Sequence, residues 1–230
     1  MTPRIGHPLA YPLSVTLGAL AVLAAWAPFA DPDQLSALVV VGCGVVGYSG
    51  YRVAVAFAVV RSGVGEVRAV PVRRVRQQYR LTSRSWLELG ESGRGRWLPV
   101  YFSPEMLGFT GGTATVRGKR VIVQPAGSFT NQDDAIDLRV FPAGRVRDTE
   151  PPGRLIDNPA RIDPAASHAT TKGRIGRRLL LDAQPTVAAP FAGLLWVYVM
   201  SDGLLAFIGV TCVSAALAVW LAAIRGSDPS

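Results

Sequence analysis

The sequence predicts a membrane protein of mixed α and β type: two transmembrane helical hairpins, four helices in all, flanking a small cytoplasmic β-barrel-like domain. Three observations predict it. Long apolar runs lie near both ends of the 230-residue chain. The stretch between them alternates apolar and polar residues over short segments. Arginines gather where the apolar runs meet that stretch. Composition agrees, with 49% hydrophobic residues, 17% charged residues and a mean hydropathy of +0.27, whereas an average soluble domain is about a quarter charged.

The first hairpin is expected over 8–60. Residues 9–30 carry no charge and are long enough to cross a hydrocarbon core of about 30 Å. A signal peptide would have a shorter apolar core, a stronger basic start than Arg4 alone, and no second apolar run directly behind it. Asp31-Pro32-Asp33-Gln34 forms a polar turn, and 35–60 is apolar again apart from Arg52. On one face of that second helix stand Cys43, Gly47, Gly50 and Ala54. Small residues at this spacing let helix backbones approach closely in lipid, against the first helix or against a partner. Arg52 lies near the end that faces the central domain, within snorkelling reach of the membrane surface or of a partner contact.

The second hairpin is expected over 184–224, with helices at about 184–200 and 204–224 separated by Ser201-Asp202-Gly203. One long tilted helix over the same run is the alternative. The two short turns contain Asp31, Asp33 and Asp202 and no basic residue. Arg61, Arg68, Arg73, Arg74 and Arg76 follow the second helix; Arg174, Arg177 and Arg178 precede the third, and Arg225 follows the fourth. Basic loops stay on the cytoplasmic side, so both termini and the β domain are expected in the cytoplasm, with the helices in the plasma membrane. The same arginines form a basic cluster suited to anionic lipid headgroups.

The β domain is expected over 61–141. Leu87 and Leu89 alternate with Trp86 and Glu88, while Leu98, Val100 and Phe102 oppose Trp97, Pro99 and Tyr101. Ala114 and Val116, with Val121 and Val123, flank a hairpin expected at Gly118, and Ile136, Leu138 and Val140 complete the set. Residues 142–183 are rich in Pro, Gly, Asp and Arg, hold no sustained period, and are expected to form an irregular arm returning to the membrane.

The sequence offers little chemistry. Both cysteines, Cys43 and Cys212, sit in apolar runs, which argues against a disulfide framework or a thiol metal site. His7 and His168 lack a positioned nucleophile or carboxylate. Gly118-Lys119-Arg120 has arginine where a P-loop needs Ser or Thr. Asp133, Asp134 and Asp137 lack calcium-loop spacing. No catalytic, cofactor or metal residue is expected. The 61–182 segment carries 21 basic and 12 acidic residues, yet it lacks the aromatic-basic pattern of a nucleic-acid binder.

Only Lys119 and Lys172 are lysine among 24 basic residues, a bias that very GC-rich genomes produce, so an actinobacterial source is expected. With the arginine-rich junctions and the run FPAGRVRDTEPPGRLIDNP at 141–159, the chain resembles the lipid uptake coordinator proteins of mycobacteria, accessory subunits of Mce lipid and fatty-acid importers. The resemblance is one of overall plan and transfers no functional residue. It implies a non-enzymatic subunit that stabilises or regulates a multi-subunit transporter by packing against a permease. The alternative is a membrane-surface scaffold whose basic domain binds anionic lipids or cell-envelope enzymes.

Overall fold

The computed structural model describes residues 7–65, 69–90, 95–117, 120–125, 137–157 and 175–229. Four helical segments in it are long and apolar enough to cross a bilayer: 10–29, 32–56, 175–200 and 204–224. The first hairpin is α1 (Ala10–Trp26) and α2 (Pro32–Ala56). Pro32 fills the first helical position of α2, where its missing N–H costs nothing, and the Asp31 carboxylate accepts from the Gln34 amide at 2.8 Å. That cap makes the DPDQ turn a helix start as well as a loop.

The third apolar segment begins earlier than its hydropathy suggests. Residues expected at the end of an irregular arm form a short helix, α3 (Ile175–Asp182), followed by a 3₁₀ turn (Gln184–Ala188) and α4 (Ala189–Met200). Ser201 in the left-handed region at φ +57° stops α4, and α5 (Leu204–Ile224) returns. The 186–224 run is therefore broken as the hairpin reading requires, not one long helix. The four long helices stand in the order α2, α1, α5, α4, with α5 packed along both α4 and α1. Gly193 permits the α4–α5 approach, since a Cβ there would lie 2.3 Å from Thr211 Oγ1 and 2.9 Å from the Phe207 carbonyl oxygen. At the end far from the sheet the two turns meet: Asp202 accepts from Trp196 Nε1 at 2.9 Å and from Gln34 Nε2 at 3.4 Å.

Among the described residues seven antiparallel strands form a curled half-barrel: β1 (Val70–Tyr79), β2 (Thr82–Leu89), β3 (Arg96–Val100), β4 (Gly111–Arg117), β5 (Arg120–Pro125), β6 (Leu138–Val140) and β7 (Arg154–Asp157). Their order is β3-β2-β1-β4-β5-β6. β1 is long enough to pair β2 on one edge while sharing its other edge between β4 at 70–73 and β7 at 75–78. The predicted alternation sorts the two faces. Val72, Leu87, Leu89, Leu98, Val100, Val121 and Val123 fill the concave core, whereas Val75, Trp86 and Trp97 pack with Leu155 on the other side.

The stretch after β6 is the main departure from expectation. Phe141–Arg147 runs back along the free edge of β3 through four backbone hydrogen bonds of 2.7–2.9 Å, and β7 joins the sheet at Arg154. These residues lack a strand period because 141–144 are buried at every successive position, so no apolar–polar alternation marks the pairing. Residues 158–174 of the expected arm lie outside the described residues.

Helices and sheet meet along a shared apolar patch of Leu9, Ala56, Tyr101, Phe141 and Ala143. His7 closes its edge, with its ring centroid 4.8 Å from Phe141 and 5.9 Å from Phe57. The start of α1 and the ends of α2, α3 and α5 thus lie on the sheet side, while Asp31 and Asp202 lie at the opposite end of the helices.

Candidate functional site

The polar residues that converge most densely lie where the chain leaving α5 enters the sheet. Arg74 stands on the concave face of β1, two residues after Val72 and paired in register with Leu87. Arg74 is 2% exposed among apolar neighbours, so each N–H of its guanidinium needs a partner. Nε donates to Ser85 Oγ at 3.2 Å, Nη1 to the Met106 carbonyl, and Nη2 pairs with Asp228 Oδ2 at 2.8 Å. Ser85 Oγ also donates to Asp228. The Asp228 amide donates to the Ser83 carbonyl at 2.9 Å, so residues 227–228 extend the edge of β2 beyond β3.

Gly226 makes this insertion possible. Its φ of +83° favours glycine, and a Cβ would lie 2.8 Å from Ala143 Cβ and 3.2 Å from the Val100 carbonyl oxygen. The last carbonyl of α5, Ile224 O, accepts from Tyr101 Oη at 2.8 Å and from Arg52 Nε at 3.3 Å. Burial pushes the Tyr101 phenol up from its ordinary pKa, which keeps it a donor at neutral pH. Arg84, bridged to Ser227, is pulled down to about 10 by burial and then by the nearby charges of Arg225 and Arg52.

A second group lies beside the first. Asp182, at the end of α3, accepts from Tyr11 Oη of α1 at 2.6 Å and from Ser227 Oγ at 2.8 Å. One turn earlier, Arg178 sits 4.1 Å above the Tyr11 ring and 5.5 Å from the Phe102 ring centroid. It is 7% exposed, and its Nε and Nη2 have no hydrogen-bond partner among the described residues. A cavity of about 150 Å³ opens here, lined by Gln78, Thr82, Ser83, Arg177, Arg178 and Asp182 among others. The whole constellation stitches three helices and the post-α5 tail to β1 and β2. It offers anion-binding groups and no paired nucleophile and base.

The residues singled out from sequence fall into three groups. Cys43, Gly47 and Gly50 are exposed on α2, and a Cβ on Gly47 or Gly50 would meet nothing within 4 Å. The stripe therefore faces away from α1, with Ala54 half-buried at its sheet end. Arg52 faces inward, donates to Tyr48 Oη at 3.4 Å and satisfies the end of α5, the stabilising place for a cation at a helix C-terminus.

The basic cluster is divided. Arg61 and Arg177 are exposed, Arg76 is half-buried, and Arg73 pairs with the buried Glu88 at 3.0 Å. Arg74 and Arg178 are buried, which removes Arg74 from any membrane surface because its register places it inside the half-barrel. Arg68 and Arg174 lie outside the described residues.

Tyr11, Asp182 and Asp228 went unnoticed in the sequence. Period-two alternation carried through Val72 puts Arg74 on the apolar face, and a buried arginine demands a carboxylate; that was the available signal for a missing acid. Comparison with family models, with curated proteins and with solved structures finds no match to this chain.

Proposed function

We propose that the chain is a non-enzymatic accessory subunit of a multi-subunit membrane complex, held in the plasma membrane by its four long helices with the β domain and both termini cytoplasmic. The observation that carries this reading is the outward face of α2. Cys43, Gly47 and Gly50 leave a shallow furrow that no element among the described residues fills. In lipid, apolar side chains gain nothing by leaving acyl chains, so helices associate where small residues allow close backbone contact. A furrow flanked by the exposed Val39, Val40 and Val46 suits a partner helix.

The seam at Arg74 and Asp228 supports a coupling role. It fixes the half-barrel to α1, α3 and α5, so a partner gripping α2 would also position the sheet. The basic residues at the sheet-side helix ends favour the cytoplasmic orientation. The resemblance in plan to lipid uptake coordinator proteins makes an Mce-type lipid or fatty-acid importer, through its permease subunit, the first complex to test.

A cysteine introduced as Gly47→Cys, in a Cys43→Ser background, tests the furrow with a short bifunctional crosslinker in native membranes. A discrete heteromeric adduct, absent when the cysteine is placed instead at Tyr198 on exposed α4, is the expected result. Equal labelling of the two positions without an adduct would refute the docking face.

A further inference from the structure

From the unpartnered guanidinium of Arg178 we infer a binding site for a phosphate ester, the headgroup of an anionic membrane lipid, in the cavity between α3, the β1–β2 turn and the tail after α5. This inference does not depend on the docking face of α2.

Four observations converge. Arg178 is 93% buried by its 7% exposure, yet Nε and Nη2 donate to nothing among the described residues while the side chain lines the cavity. A buried cation without hydrogen-bond acceptors is costly, and the two stacked rings answer only its faces, not its N–H groups. Both carboxylates in the wall are already engaged. Asp228 holds Arg74 and Ser85, and Asp182 accepts from Tyr11 and Ser227. Arg177 and Arg178 share the wall with Asp182 and Asp228, and Arg74, outside the wall, already pairs with Asp228, which leaves one positive charge in surplus.

The volume of about 150 Å³ is several times the ~30 Å³ share of one water, room for a phosphate group with part of its ester. An arginine fork matches phosphate oxygens bidentately, and Thr82, Ser83 and Gln78 add polar groups to the wall.

The setting favours a lipid over a soluble phosphate. α3 is an inside-out amphipathic helix: Arg178 and Asp182 face the protein, while Ile175, Leu179 and Leu180 are 65%, 45% and 75% exposed. Leu81, at the tip of the β1–β2 turn, is 47% exposed beside the same cavity. Such an apolar face beside a basic pocket suits the boundary between headgroups and acyl chains.

The test uses the full chain in nanodiscs of phosphatidylcholine containing a minority of phosphatidylglycerol, with retained lipid counted by native mass spectrometry. The wild type is expected to retain phosphatidylglycerol selectively. Arg177→Gln, on an exposed residue, should cut that enrichment about five-fold, the factor that ~1 kcal/mol per arginine supplies. Arg178→Gln should bring it to the phosphatidylcholine level. Should Arg178→Gln fail to fold, the Arg177→Gln result decides. Equal retention of the two lipids by the wild type, or unchanged enrichment in Arg177→Gln, would overturn the site and leave it a water pocket. Inorganic phosphate that stabilises the wild type in pure phosphatidylcholine discs as much as phosphatidylglycerol does would overturn the lipid assignment in favour of a soluble phosphate.

Discussion

Replacing Asp228 by Asn removes one charge while keeping shape and an acceptor for Ser85. Arg74 would then be a guanidinium at 2% exposure without its counter-ion. Breaking a buried pair from one side costs about 3–5 kcal/mol, most of it the penalty of the stranded charge. Arg74→Met strands Asp228 in the same way and should cost a similar amount. The double variant strands neither charge, and replacing a buried pair by neutral groups is often close to neutral. It should therefore be far less destabilised than the sum of the singles, with a coupling of at least about 2 kcal/mol. For a chain of this size about 2–4 °C accompanies each kcal/mol, so each single variant should lower the unfolding midpoint by roughly 6–20 °C. Thermal unfolding of the detergent-solubilised protein, followed by tryptophan fluorescence, to which Trp86 and Trp97 in the sheet contribute, reads all four species. Singles that add to within about 0.5 kcal/mol would show that the two residues act independently, and the seam as described would be wrong.

Four further substitutions probe separate positions. Tyr11→Phe removes the 2.6 Å bond to buried Asp182 and should cost about 1.5–3 kcal/mol in the same assay. Gly226→Val combines the left-handed backbone at φ +83° with a Cβ 2.8 Å from Ala143 Cβ, and should cost at least about 2 kcal/mol. Limited proteolysis should then cut the tail after α5, which stays protected in the wild type. Gly193→Leu forces α4 off α5 and should cost about 1–3 kcal/mol, whereas Gly47→Leu, with open space around it, should change stability by less than about 0.5 kcal/mol.

The helical hairpins were legible because charge-free length and short polar turns are local signals, and Asp31 and Ser201 act through their own backbone neighbours. The strand faces of β2 and β3 were legible for the same reason: Leu87, Leu89, Leu98 and Val100 alternate as the pleat does. What stayed hidden depends on contacts distant in sequence. Phe141, Ala143 and Arg147 pair with β3 through backbone groups in a stretch that carries no alternation. α3 has exposed leucines and a buried Arg178, so its polar residues resemble a loop until the elements packed against it are known. Arg74 reads as one more basic residue in an arginine-rich stretch, and its partner lies 154 residues away. Residues 227–228 follow a helix end and carry no strand period, yet they extend a sheet edge. The arginines were read by charge when register and burial decide which of them can reach a membrane.

Membership of a membrane complex is tested most directly by affinity purification of the wild type and of Gly47→Leu from native membranes in mild detergent, with the co-purifying proteins quantified by mass spectrometry. The predicted result is a stoichiometric set of integral membrane partners with the wild type and its loss, at unchanged fold, with Gly47→Leu. Recovery of the wild type as a lone monomer, even after crosslinking in the membrane, would contradict the proposed role.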